Sequence, residues 1–298
     1  MKRLPFVSFL LCLALFIACE KPEMTEDKSS PTERGNLTLS VSQVEQTSFS
    51  ALTRAAASEV CTNLNFVIYD MEGTRLKYNN QKKGDEDFGT VSFQLEEGSY
   101  QIMVLAHSAD RNPTTTNPKK IQFSSNTNKK GTGYTDTFLY YTTVTLDSEP
   151  QTLSLSLRRI VSLCRFVISD AIPEGVDSLV FTYKGGSGYF DASTGLGVTS
   201  STSQQKAYFK VQTGSKNTQY DLYTFLPETE GTIHLVVSAY NAANIVQLER
   251  EIDVPMVQNR ITWLTGNFFT DFTPIISQTL TPTVNIDNDW GGEDHMDY

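Results

Sequence analysis

The amino-acid sequence predicts an all-β protein of antiparallel strands closed into sandwiches, and three observations carry that prediction. Apolar residues alternate with polar ones at a period of two through most of the 298 residues. That spacing gives a strand one buried and one wetted face. Stretches rich in Gly, Asn and Asp separate the alternating segments, and these residues reverse a chain sharply. No segment shows sustained helical spacing bounded by caps. Strands joined by short turns pair as antiparallel sheets, and two such sheets bury their apolar faces against each other.

The N-terminus stands apart from this pattern. Lys2 and Arg3 precede an apolar run from Leu4 to Ala18, too short for a membrane-spanning helix and placed as an export signal. Cys12 follows the bulky Leu11, whereas Cys19 follows Phe16-Ile17-Ala18, with a small residue directly before the thiol. The second arrangement resembles the lipobox of bacterial lipoproteins, although Phe16 stands where Leu is usual. The resemblance implies cleavage before Cys19 and its acylation, palmitate included, and multiple acyl chains anchor stably where one does not. Residues 1–18 are therefore expected to form the signal peptide. Residues 19–35, polar and punctuated by Pro22 and Pro31, are expected to be a flexible linker.

The strands follow in order. Leu37, Leu39 and Val41 alternate first, then Leu64, Phe66 and Ile68, then Val91, Phe93 and Leu95. Tyr100, Ile102 and Val104 repeat the pattern, as do Leu153, Leu155 and Leu157. The apolar set then moves from odd to even positions, to Ile160, Cys164, Phe166 and Ile168, across Arg158-Arg159. A shift of one residue sends every side chain to the opposite face, so the chain must bulge, bend or enter a second sheet there. This divides it into an N-terminal sandwich over 36–157 and a C-terminal sandwich with a terminal strand over 158–298. The second half continues with Leu222 to Leu226, Ile233 to Val237, and Val284 with Ile286. The connections from Arg111 to Tyr134 and from Gly185 to Gln205 are long for hairpins.

Charge and chemistry exclude more than they assign. The formal net charge is −10, and losing Lys2 and Arg3 with the signal makes it −12. An acidic chain of this kind is not expected to bind nucleic acid. Cys61 and Cys164 either pair, as export permits, or serve as small buried hydrophobes. His107, His234 and His295 are widely separated, with no His-Glu-x-x-His spacing for zinc and no Gly-x-Ser-x-Gly elbow. No catalytic residue, metal or cofactor is expected. The acidic run from Asp287 to Asp294 fails as a calcium loop. Gly291 occupies its fifth position and Tyr298 its twelfth, where oxygen ligands belong, so a solvated acidic tail is expected. Trp263, Trp290, Tyr140 with Tyr141 and Tyr189 with Phe190 are either core aromatics or a sugar-stacking platform. Trp263, following Ile261 in alternation, is expected in the core.

Three segments carry a family resemblance. Val254-Pro255-Met256-Val257-Gln258-Asn259-Arg260-Ile261-Thr262-Trp263-Leu264-Thr265-Gly266-Asn267-Phe268-Phe269 resembles a stretch typical of the fimbrillin-like proteins of Bacteroidota type V fimbriae. Tyr183-Lys184-Gly185-Gly186-Ser187, continued by Phe190-Asp191-Ala192-Ser193-Thr194-Gly195, and the opening Arg159-Ile160-Val161 are similar to others. With the lipobox these cover most of the chain and look most like the FimB/Mfa-type accessory and anchor branch. The resemblance implies two tandem transthyretin-like β-sandwich domains in a non-enzymatic fimbrial subunit at the cell surface. It implies a lipid anchor in the outer membrane, donor strand exchange with other fimbrial subunits, and support of cell adhesion to host or bacterial surface ligands.

The family's assembly scheme points to specific positions. An arginine-specific protease cutting between Arg54 and Ala55 would remove the anchor together with a first strand containing Leu37, Leu39 and Val41. The vacated groove would accept an added strand. Leu280, Val284, Ile286 and Trp290 share one parity and form the candidate donor strand. The alternatives are that Arg54 is an ordinary loop residue and that the C-terminal strand completes its own sheet. A different reading of the whole is a glycan-binding surface lipoprotein of a nutrient-uptake system.

Overall fold

The computed structural model describes residues 35–48, 51–124, 134–198, 204–270, 283–287 and 293–297. Residues 35–298 cluster as one compact unit. The chain is all-β. Its first half contains β1 (Leu37–Ser48), β2 (Ala51–Ala55), a single turn of helix α1 (Ala57–Val60), β3 (Asn63–Tyr69), β4 (Arg75–Lys82) and β5 (Thr90–Phe93). β6 (Gly98–His107), β7 (Ile121–Gln122), β8 (Thr137–Leu146) and β9 (Gln151–Arg159) follow. The second half contains β10 (Ser162–Ile168), β11 (Ser178–Lys184), β12 (Tyr189–Asp191), β13 (Leu196–Gly197), β14 (Gln205–Lys210) and β15 (Thr218–Thr224). It ends with β16 (Glu230–Tyr240), β17 (Val246–Val257), β18 (Ile261–Gly266), β19 (Thr283–Asp287) and β20 (Glu293–Asp297).

One pairing scheme occurs twice. In the first half β1 pairs with β5 and β9, β3 with β4 and β6, and β6 with β8. In the second half β10 pairs with β15 and β18, β11 with β14 and β16, and β16 with β17. The eight-stranded sheet, β2-β1-β9-β8-β6-β3-β4 with β5 also paired to β1, is joined across β8 and β9 by only two residue pairs, Phe138 with Arg159 and Leu139 with Arg158. Its two arms enclose one core, with Leu37, Leu39 and Leu155 from one arm against Phe66, Val104 and Phe138 from the other. The sheets β15-β10-β18-β20-β19 and β14-β11-β16-β17 enclose a second core around Phe166, Phe181 and Leu235.

The strands are not all antiparallel. The first strand of each half has a parallel neighbour, β1 beside β9 and β10 beside β18, and β20 runs parallel to β18. Alternation reports which face is buried and is silent on direction. Parallel neighbours require only a long connection, and nearly the whole of each half supplies it.

The parity change falls where the chain changes sheets. Leu155 and Leu157 enter the first core, Ile160 and Val161 a third cluster, and Cys164, Phe166 and Ile168 the second core. The third cluster explains a further difference. β3 and β6 were expected to wet one face, yet β3 is buried at all seven positions. Val67, Tyr69, Met103 and Leu105 on the outward faces meet Phe123, Phe190 and Phe225. The small sheet β13-β12-β7, drawn from both halves, lies beside them.

Cys61 and Cys164 are free and buried, and burial pushes their thiols up to about 11 and about 12. They belong to separate cores and act as small hydrophobes.

His107, fully buried, predicts an acid-sensitive fold. Its Nδ1 accepts the Ala109 N–H at 3.1 Å, which leaves Nε2 to donate to Asn65 Oδ1 at 2.9 Å. Burial disfavours the charged ring and lowers its pKa to about 4, against about 6.5 in an unfolded chain. Between those values the unfolded chain binds a proton that the folded one refuses, so stability rises with pH. The contribution is complete above pH 6.5 and is lost as pH falls toward 4, a loss of about 3 kcal/mol from this residue. Urea titrations at neutral pH and near pH 4.5 should show His107→Gln losing less stability than wild type. Equal losses would remove His107 as the cause.

Candidate functional site

β1 is an interior strand built from alternating residues. Leu37, Leu39 and Val44 are fully buried and the half-buried Val41 packs against the same core. The strand is held by β5 at its start, β2 at its end and β9 along most of its length. A register shift between Val41 and Gln43 marks a bulge, where Ser42 Oγ donates to the Leu155 carbonyl at 3.0 Å. Arg54 and Ala55 lie in β2, opposite Glu45 and Val44, so Arg54 sits on a sheet margin instead of in a loop. Cys19 lies outside the described residues.

At the other end, Val284 and Ile286 fall in β19, the margin of the second-half sheet, while Leu280 and Trp290 lie outside the described residues. β20 is inserted between β18 and β19, and Met296 is fully buried in the second core. Of the acidic run from Asp287 to Asp294 expected as a solvated tail, Asp287 lies in β19 and Glu293 and Asp294 lie in β20, a strand not expected from the sequence. One apolar residue among acidic neighbours gave little sequence signal for it. Asp170 secures the chain ahead of this hairpin, accepting the N–H groups of Phe268 (2.9 Å), Phe269 (2.7 Å) and Thr270 (2.6 Å) and the Thr270 hydroxyl (2.8 Å). Burial alone would raise its pKa, but the Thr270 hydroxyl and the three N–H groups outweigh burial and hold the carboxyl below the usual range.

The three segments that carry the family resemblance converge where the halves meet. Arg159 makes a bidentate pair with Asp136, at 2.7 and 2.8 Å. It also donates to Asn259 Oδ1 at 3.3 Å and lies 4.7 Å over the Phe138 ring. Gln258 Nε2 donates to the carbonyls of Ile160 and Gly195, and Arg158 to that of Thr194. Asn259, at φ 60°, donates its N–H to the Val161 carbonyl. A Cβ on Gly186 would fall 1.9 Å from Thr224 Oγ1, so only glycine allows that approach. Asp136 and Thr224 were missed in the sequence, because a partner distant along the chain leaves no local pattern.

The aromatic candidates do not form a shared platform. Tyr140 packs toward the first core and Tyr141 toward the third, on opposite faces of β8. Phe190 is fully buried, and Tyr189 is half-buried beneath Lys120. Trp263 is half-buried, which corrects its expected place in the core. Thr262 and Leu264 take the inward positions, and Trp263 lies 4.9 Å from the Arg165 guanidinium, itself paired with Asp221. Trp290 lies outside the described residues. His234 meets Asp253 at 2.8 Å and Glu251 at 3.7 Å on the surface. Among the described residues no group of three His, Cys, Asp or Glu side chains is placed to hold a metal ion.

A family model described as Family of unknown function (DUF6562) matches residues 29–298, and the chain belongs to that family. No curated protein matches the sequence. Among solved structures the chain is similar to a candidate adhesin from Bacteroides ovatus, at 17% identity and a TM-score of 0.49, over 72% of this chain and 82% of that one. It is also similar to the fimbrial anchor protein Mfa2 from Porphyromonas gingivalis, at 13% identity and a TM-score of 0.44, over 72% and 80% of the two chains. A fimbrial assembly protein from Parabacteroides distasonis matches at 12% identity and a TM-score of 0.40, over 88% and 97%.

Proposed function

We propose that the chain is a non-enzymatic structural subunit of cell-surface fimbriae, exported by residues 1–18 and tethered to the outer membrane through Cys19. In this reading residues 36–157 and 158–298 form two tandem transthyretin-like sandwich domains. The subunit joins other fimbrial subunits by strand addition and supports cell adhesion. The observation that carries the reading is β1. It is a fully integrated strand with alternating buried side chains, lying between the candidate anchor and Arg54, so one cut would release both. The doubled pairing scheme supports the tandem domains. The glycan-uptake reading loses support, because Tyr140, Tyr141 and Phe190, three of the aromatics it named, pack toward two different cores.

Cut after Arg54, the chain becomes a polymer subunit with an open groove; uncut, it stays at the membrane as a basal anchor. Intact mass and N-terminal analysis of the protein from its native surface tests this. A diacyl or triacyl Cys19 start supports the anchor, and an unlipidated Ala55 start the primed subunit, with SDS-resistant ladders that vanish when residues 280–298 are deleted. An unlipidated chain beginning at neither residue, with no fibre partner, overturns the proposal.

A further inference from the structure

The outward face of β14-β11-β16 is a concavity of about 470 Å³, within the range of small-ligand sites. Ser178 and Val180 form its floor, and β14 and β16 flank β11. Tyr208 stands on one side of the floor and Tyr240 on the other, both half-buried. Tyr208 lies level with Val180 and Tyr240 with Ser178, so two strand spacings and two residues separate them, roughly 12 Å, which leaves room for a ring between or upon them. Lys206 and Lys210 occupy the same face of β14 as Tyr208, each two residues away.

Charge selects the ligand. Lys210 lies 4.0 Å from Asp177 and is partly neutralised. Lys206 is exposed, and neither its register partner Thr182 nor Val236, which pairs with Thr182 on the far side, carries a charge. A cation is thus held beside a tyrosine on a chain of net charge −10. The concavity offers a protein partner little, since Val180 is its only aliphatic lining residue and Phe209 packs back against the second core, whereas a stable interface needs an apolar centre. A pyranose presents an apolar face to an aromatic ring, and a uronic acid carries its carboxylate directly on the ring. Lys206 and Tyr208 are about 6.8 Å apart along the strand, within reach of an ammonium on a four-carbon stem. We propose that this concavity binds a uronate-bearing oligosaccharide, stacked on Tyr208 and Tyr240 with its carboxylate on Lys206.

The site is independent of lipidation, Arg54 cleavage and strand addition, so binding and assembly can fail separately. Calorimetry on the full chain with a hexamer of galacturonate is the test, with maltohexaose as the neutral control. The expected result is saturable binding of the galacturonate hexamer that weakens with salt, at least about tenfold tighter than maltohexaose. Lys206→Glu and Tyr208→Ala should each weaken it by about tenfold or more with melting unchanged, both positions lying on the outer face of a margin strand. Absent binding, equal affinity for the neutral glycan, or indifference to both substitutions overturns the proposal. So does binding of dextran sulfate without galacturonate, or a concentration-dependent dimer abolished by Tyr208→Ala, which would assign the face to a second copy.

Discussion

A chain that begins at Ala55 is expected to lose its first hydrophobic core. That start removes β1 and nearly all of β2, and with them Leu37, Leu39 and Val44, each fully buried. Burial of such side chains contributes about 1.5–3 kcal/mol each, so the three together contribute about 5–9 kcal/mol, comparable to the whole stability of an ordinary domain. The ladder adds to the loss, because β9 and β5 would each present unpaired backbone groups to the vacated groove. Circular dichroism should show a melt that loses its cooperative transition or falls by tens of degrees. A peptide spanning residues 36–48 should restore it, and the same peptide carrying Leu39→Asp should not, since its carboxylate would enter an apolar pocket. Unchanged melting of the shortened chain would show that β1 is dispensable and that cleavage at Arg54 opens no groove.

The value of this experiment lies in what the sequence could and could not say about β1. Alternation over Leu37, Leu39 and Val41 placed a strand correctly, as it did at Leu64 to Ile68, Leu153 to Leu157 and Ile233 to Val237. The same alternation could not tell that β1 lies parallel to β9, because direction leaves no mark on side-chain period. β4 and β8 were missed for a different reason. β4 reads Arg-Leu-Lys-Tyr-Asn-Asn-Gln-Lys and lies on a sheet margin with only Gln81 buried, so its apolar content is too low to register. β8 carries two adjacent tyrosines that serve two different cores, which breaks the expected rhythm. The parity change at Arg158-Arg159 was legible because it is covalently local. The third cluster behind it was not, since Phe123, Phe190 and Phe225 come together only in the folded chain.

The same limit hid the ion pair that closes the junction, and its removal is the second change expected to have a large effect. The Arg159 side chain is 3% exposed and that of Asp136 24%, so Asp136→Ala leaves a guanidinium desolvated with Asn259 as a long neutral acceptor. Breaking a buried pair on one side costs about 3–5 kcal/mol. For a chain of this size that corresponds to a fall in melting temperature of roughly 6–20 °C. The double variant Asp136→Leu with Arg159→Met separates charge from packing. Removing both charges while keeping apolar volume should recover most of the loss, because the pair's attraction is largely offset by its own desolvation. Arg159→Lys should fall between, since an ammonium cannot span both carboxylate oxygens and the Phe138 face together. A loss below about 1 kcal/mol for Asp136→Ala would place the pair with ordinary surface bridges. The junction would then rest on the Phe123, Phe190 and Phe225 cluster and on the hydrogen bonds of Gln258, Arg158 and Asn259, and Phe225→Ala would become the more damaging change, at about 3–5 kcal/mol.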